Sequence, residues 1–256
     1  MKRHKNELVV VAGVAEVAVG EYRRRVEVAT WAPGVVVGEL EDDFHRFGVV
    51  LGHDDTMVTG IEGVARRFPW STCPGAVDPL RAEVGTELCP TLSGVRRQTQ
   101  PQLTCTHMYD VFALAVVHAH DGRERTAYDI VVPDREDGRS RAQLTGPDGL
   151  ALDWQIARNT IEGPPPFGGR ALYGGFVGWA EETLDPATAE AAIVLRRAFY
   201  ISLGRMVDLD DYASASEIDP RQLGVCHTFQ PDVVASSVRV RGATRDYSGR
   251  PDALLS

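Results

Sequence analysis

Residues 104–122, TCTHMYDVFALAVVHAHDG, decide how the chain is read. Met108, Val111, Phe112, Ala115, Val116 and Ala119 recur at i, i+3, i+4, i+7, i+8 and i+11, an apolar stripe down one side of a helix, and Asp121-Gly122 stops it. A helix with one such stripe is expected to pack on a sheet.

Working outward, residues 22–30 (YRRRVEVAT) alternate with period two and predict a strand, with Arg23 and Arg25 on one face and Val26 and Val28 offering apolar positions. The Arg23-Arg24-Arg25 run reads as a solvated strand face paired with local acids. Residues 35–40, 47–51 and 57–64 add three strands, broken by the turn-rich His53-Asp54-Asp55, and together make a β-meander. From Cys73 to Val84 the pattern turns helical. Pro74 and Pro79 require it either to start late, with Asp78 as N-cap and Pro79 at N1, or to kink. Downstream, residues 126–132, 139–145 and 150–156 predict a second meander, and residues 162–169 (EGPPPFGG) read as an extended linker. Asp185 can cap, and Pro186 open, a helix running to about Val207; the tail after Asp208 is loop-rich. The expected class is α+β: an antiparallel meander with amphipathic helices packed on it, then a second meander followed by helices. The expected organisation is an N-terminal arm (1–19), an α+β domain (20–122) and a second half (123–256) containing the linker.

The 256 residues carry 27 Lys+Arg against 36 Asp+Glu, a net charge of −9, so no uniform basic field exists to hold nucleic acid. A 43% hydrophobic content can fill a core. Lys2, Arg3, His4 and Lys5 precede an apolar run from Leu8 to Val19, but Glu16 interrupts it, so neither a signal peptide nor a membrane span is expected. That reading gives a cytoplasmic protein. Four cysteines (Cys73, Cys89, Cys105, Cys226) are too few for a disulfide scaffold and turn attention to metal or thiol chemistry.

Candidate site residues lie at element boundaries, where function concentrates. Glu39 to His45 holds an acidic cluster ending in an imidazole. Cys73 lies at a helix start; Cys105 and His107 lie in the first turn of the long helix. A helix N-terminus should lower a thiol pKa and favour the thiolate. Cys73, Cys105 and His107 with a carboxylate from Asp42 or Asp43 make a mixed donor set that zinc or iron accepts. Positions 105 and 107 lie about 200° apart on an ideal helix, so they converge only if Cys105 precedes the first helical residue. His45 and Asp110 are the candidate proton-transfer residues. Cys89 and Cys226 read as buried, inert thiols; His227 beside Cys226 forms a further loop cluster; His118 and His120 read as cations suited to a helix C-terminus. Phosphate-loop, G-x-S-x-G, H-E-x-x-H and C-x-x-C patterns do not occur.

The segments LEDDFHRF (40–47), RFPWSTCPGA (67–76), CTHMYD (105–110) and GVCHTFQP (224–231) together resemble a bacterial family known chiefly as a domain of unknown function. The likeness covers nearly the whole chain from about Gly20. More distantly, the order of acid, strands, Cys73 and Cys105 is similar to the U-type iron–sulfur cluster scaffold proteins. That resemblance implies that Asp43 stands for their aspartate, Cys73 for the middle cysteine and Cys105 for the last. Glu41 stands at the first cysteine and Thr104 at the histidine, with His107 as substitute, and this favours a mononuclear site. The expectation is a zinc- or iron-dependent lyase, isomerase or hydrolase acting on a small organic molecule. The alternatives are a metal or iron–sulfur scaffold docking on a partner enzyme, and a metal-free enzyme with Cys73 as nucleophile and His107 as base. A homo-oligomer is also an expected arrangement.

Overall fold

The computed structural model describes residues 20–256; the arm expected over 1–19 lies outside the described residues. Eight strands, β1 (Glu21–Ala32), β2 (Val35–Asp42), β3 (Arg46–His53), β4 (Val58–Arg67), β5 (Arg125–Pro133), β6 (Arg139–Thr145), β7 (Ala151–Ala157) and β8 (Thr160–Gly163), form one sheet in the order β4-β3-β2-β1-β5-β6-β7-β8. Every neighbouring pair is antiparallel. The class is therefore α+β, as the two period-two runs predict. The two meanders are halves of a single sheet, because β1 holds β2 on one edge and β5 on the other, in register from Glu21↔Pro133 to Ala29↔Arg125.

Helices α1 (Val77–Arg81), α2 (Leu92–Gln98), α3 (Thr106–His120), α4 (Phe176–Thr183) and α5 (Pro186–Ser202) complete the chain, with short 3-10 turns in the tail. The stripe of α3 packs on β1, β2 and β3, and α5 packs on β1, β5 and β6. Gly38 of β2 makes the first contact possible, since a Cβ there would lie 2.5 Å from Val111 Cγ1. On β1 the buried face is Tyr22, Arg24, Val26 and Val28. Arg24 is thus a core residue, whereas Arg23 and Arg25 pair with Glu21 and Asp129 as local acids.

Several boundaries differ from expectation. Cys73 opens a 3-10 turn (Cys73–Ala76), and α1 begins at Val77 with Ala76 as its cap; Pro74 suits a tight first turn, and Asp78 falls inside the helix. Residues 162–169 are packed rather than extended: Phe167 is buried with its ring centroid 5.1 Å from Trp154 and 5.8 Å from Trp179. α5 follows the sequence reading closely, with the Asp185 side chain accepting from Thr188 N and Pro186 in the first turn. Among the described residues no helix is long and apolar enough to cross a membrane.

Candidate functional site

The turn between β2 and β3 is closed by Asp42, whose Oδ1 accepts from the backbone N–H groups of Phe44 and His45, each at 2.8 Å. The same oxygen lies 3.0 Å from His45 Nδ1. Its other oxygen accepts from Tyr22 Oη at 2.8 Å and Arg24 Nη2 at 2.7 Å. Arg67, from the end of β4, donates to the carbonyl oxygens of Asp43 (2.9 Å) and His45 (3.1 Å) and fixes the turn from outside. Burial alone would raise the Asp42 pKa, but His45 and Arg24 hold it well below the usual carboxylate range. An ionised Asp42 fixes the His45 ring through its contact with Nδ1, the arrangement that carboxylates behind ligating or proton-transferring histidines impose.

His107, the second residue of α3, stacks on His45 with ring centroids 3.6 Å apart and planes 25° apart. Burial, then the neighbouring His45 and Arg24, push its pKa well below that of a free imidazole. The ring is neutral, and its Nε2 is buried without a hydrogen-bond partner. Among the described residues, Asp42, His45 and His107 are the one set of three or more whose donor atoms all lie within 4.8 Å.

Cys105 is the N-cap of α3, with extended φ −72° and ψ 125°, so it precedes the helix and can face His107. Its Sγ lies 3.8 Å from His107 Nδ1. Cys73 Sγ lies 3.5 Å from Thr228 Oγ1, and His227 N donates to the Thr104 carbonyl at 2.9 Å, so the tail segment 226–228 bridges the two helix starts. Gly75 permits this, since a Cβ there would meet His227 Nε2 at 2.9 Å. Cys226 is thereby brought within electrostatic reach of both Cys73 and Cys105.

The structure corrects the expected thiol chemistry. Burial pushes Cys73 up to about 11 and raises Cys105 and Cys226 as well, so desolvation outweighs any helix-terminus effect. Asp43 points away from the cluster: its Oδ2 accepts from Arg205 Nη1 at 2.5 Å, and burial raises it to about 7 against the opposing Arg205 charge. Asp42 occupies the position expected of the site acid, but both its oxygens are used by protein donors. Asp110 faces Arg197 (3.0 Å) rather than the thiols. His118 is buried between Thr30 and Thr126, and burial lowers its pKa, so it is a neutral core residue rather than a cation at the helix end.

Three contributors escaped the sequence reading. Tyr22 and Arg24 support Asp42 from β1, and the parity that sets Val26 and Val28 inward sets Arg24 inward too. Cys226 joins only through tail packing. Glu41, at the first scaffold cysteine position, is taken up by Arg67 (3.2 Å), Tyr247 Oη (2.8 Å) and Leu255 N (2.9 Å). Neither a scan against protein-family models nor a search of curated proteins returns a match.

Proposed function

We propose that Cys105 and His107 hold a mononuclear zinc or iron ion in an enzyme that acts on a small organic metabolite as a lyase, isomerase or hydrolase, with Cys73 and Cys226 as the further thiols that draw in on metal binding, since the four donor atoms do not all lie within 4.8 Å of one another in the structure. The observation that carries this reading is the Cys105–His107 pair. Two donors sharing one tetrahedral zinc through sulfur and nitrogen stand about 3.6 Å apart, and Cys105 Sγ and His107 Nδ1 stand 3.8 Å apart. Neutral imidazole and buried thiols are the forms expected of unmetallated ligands, since the ion supplies the charge that makes thiolates stable there. A bound metal would contribute Lewis acidity. His45, oriented by Asp42, is the proton-transfer residue, and Asp110 lies one helical turn beyond the metal pair. The reading carries a cytoplasmic location with it, because free thiol ligands persist in a reducing compartment.

Metal analysis of untagged protein tests this. About one zinc or iron per chain is expected in the wild type, with loss in Cys105→Ser and His107→Gln. Equal, sub-stoichiometric metal in all three proteins would sink it.

One observation favours a second reading. The resemblance to cluster scaffolds lacked a third thiol, and the tail supplies it as Cys226. Acid-labile sulfide matching the iron content after anaerobic reconstitution, lost in Cys226→Ser, would make the chain a cluster scaffold or accessory subunit instead of a mononuclear enzyme.

A further inference from the structure

Beside the thiol–imidazole cluster, residues of β1, β2, α2, α3, α4 and α5 line a cavity of about 750 Å³. Thr106 and Val225, the neighbours of Cys105 and Cys226, are on its wall. In a chain of net charge −9, this wall carries four arginines: Arg24, Arg96, Arg196 and Arg197. Arg24 is matched by Asp42, and Arg197 by Asp110. Arg196 and Arg96 have no carboxylate partner among the described residues. Arg196 is fixed in place nonetheless: its Nε donates to the Leu172 carbonyl at 2.5 Å, and its guanidinium lies 5.1 Å from the Tyr200 ring centroid. Tyr200 is also a wall residue, and its hydroxyl is buried without a hydrogen-bond partner.

A part-buried, pre-positioned guanidinium with no counter-ion costs free energy that an anionic ligand recovers. Burial, with Arg197 and Arg96 nearby, lowers the pKa of Arg196 against the opposing pull of Tyr200 and Asp110. Leu92, Ile193 and Val194 add apolar wall beside the polar Ser93, Gln102, Thr106 and Gln222, and the volume suits a metabolite-sized molecule.

We propose that this cavity binds a small organic anion, a carboxylate or phosphate group on an apolar body, with Arg196 and Arg96 taking the charged end. As the substrate class of the enzyme this rests on the metal-centre reading; as a binding site it does not. Titration calorimetry of the full chain with hexanoate, hexyl phosphate and hexanol tests it. At least one anion is expected to bind with a dissociation constant of about 1 mM or tighter, and hexanol more weakly. Arg196→Gln and Arg96→Ala should each weaken that binding about tenfold or more. The Arg96 side chain is exposed, so its variant reports even if Arg196→Gln misfolds. The stronger of the two anions identifies the head group. Absence of binding by both anions, hexanol binding as tightly as either, or an Arg96→Ala protein that binds like wild type would overturn the proposal. Cys105→Ser separates the two readings: anion binding without metal keeps the cavity site, and metal without anion binding removes only the cavity site.

Discussion

Asp42 shows how much one side chain can organise. It is fully buried, and its two oxygens accept from a turn, a histidine, a tyrosine and an arginine at once. A buried ion pair contributes little net stability over an apolar replacement, but removing one member strands the other charge. Asp42→Ala leaves Arg24 unpaired at 1% exposure, so we expect it to lower unfolding free energy by about 3–5 kcal/mol in urea titrations. Tyr22→Phe removes two hydrogen bonds, one donated to Asp42 and one accepted from Arg24 Nε, and should cost about 1–3 kcal/mol. Similar, small losses in both variants would show that Asp42 is not the keystone of the turn. The aspartate was visible in the sequence beside Asp43, but nothing local separates them. Which of two adjacent acids faces the imidazoles depends on which one Arg24 meets across the β1–β2 ladder, where Arg24 and Asp42 are register partners.

At the scale of elements, α3 and β2 fit because of one glycine. The apolar stripe of α3 was legible from its spacing, and so were the strands from theirs; the contact distance between them was not. Gly38→Ala places a methyl against Val111, and this overpacking should destabilise by about 1–3 kcal/mol in the same titrations. An unchanged midpoint would mean that α3 shifts freely on the sheet. The start of α3 also settles the thiol geometry. Cys105 adopts extended backbone as the N-cap, and that single dihedral choice lets residues two apart converge on one point. Sequence spacing stated the condition, and the backbone met it. The proline-rich segment 162–169 went the other way. Its composition suggested a spacer, but composition carries no information on whether Phe167 finds Trp154 and Trp179, which it does.

For the whole molecule, the decisive fact is that β1 is an interior strand. The sequence divides naturally at Gly122, between a helix and a new run of strands, and an independent first domain was the expectation. In the structure residues 20–122 would carry β1 with its β5 edge bare and without the α5 cover. Such an edge exposes unpaired backbone groups along a hydrophobic strand. We therefore expect residues 20–122 expressed alone to show no cooperative thermal transition by circular dichroism, while 20–256 does; cooperative melting of the fragment would restore the two-domain view. The sequence by itself determined the α+β class, the main helices and most strand positions, because periods of 3.6 and 2 residues are local consequences of which face is buried. It also named Cys73, Cys105, His107 and His45 as candidates at element ends, and the structure sets His45 against His107 and Cys105 beside it. Only the tertiary structure decided that Asp42 rather than Asp43 faces His45, that Cys226 packs near Cys73 and Cys105, that burial raises the thiols, and that Arg196 and Arg96 line a cavity without a carboxylate partner among the described residues. Each of those depends on desolvation or on a contact between segments far apart in the chain, and neither quantity is encoded in local spacing.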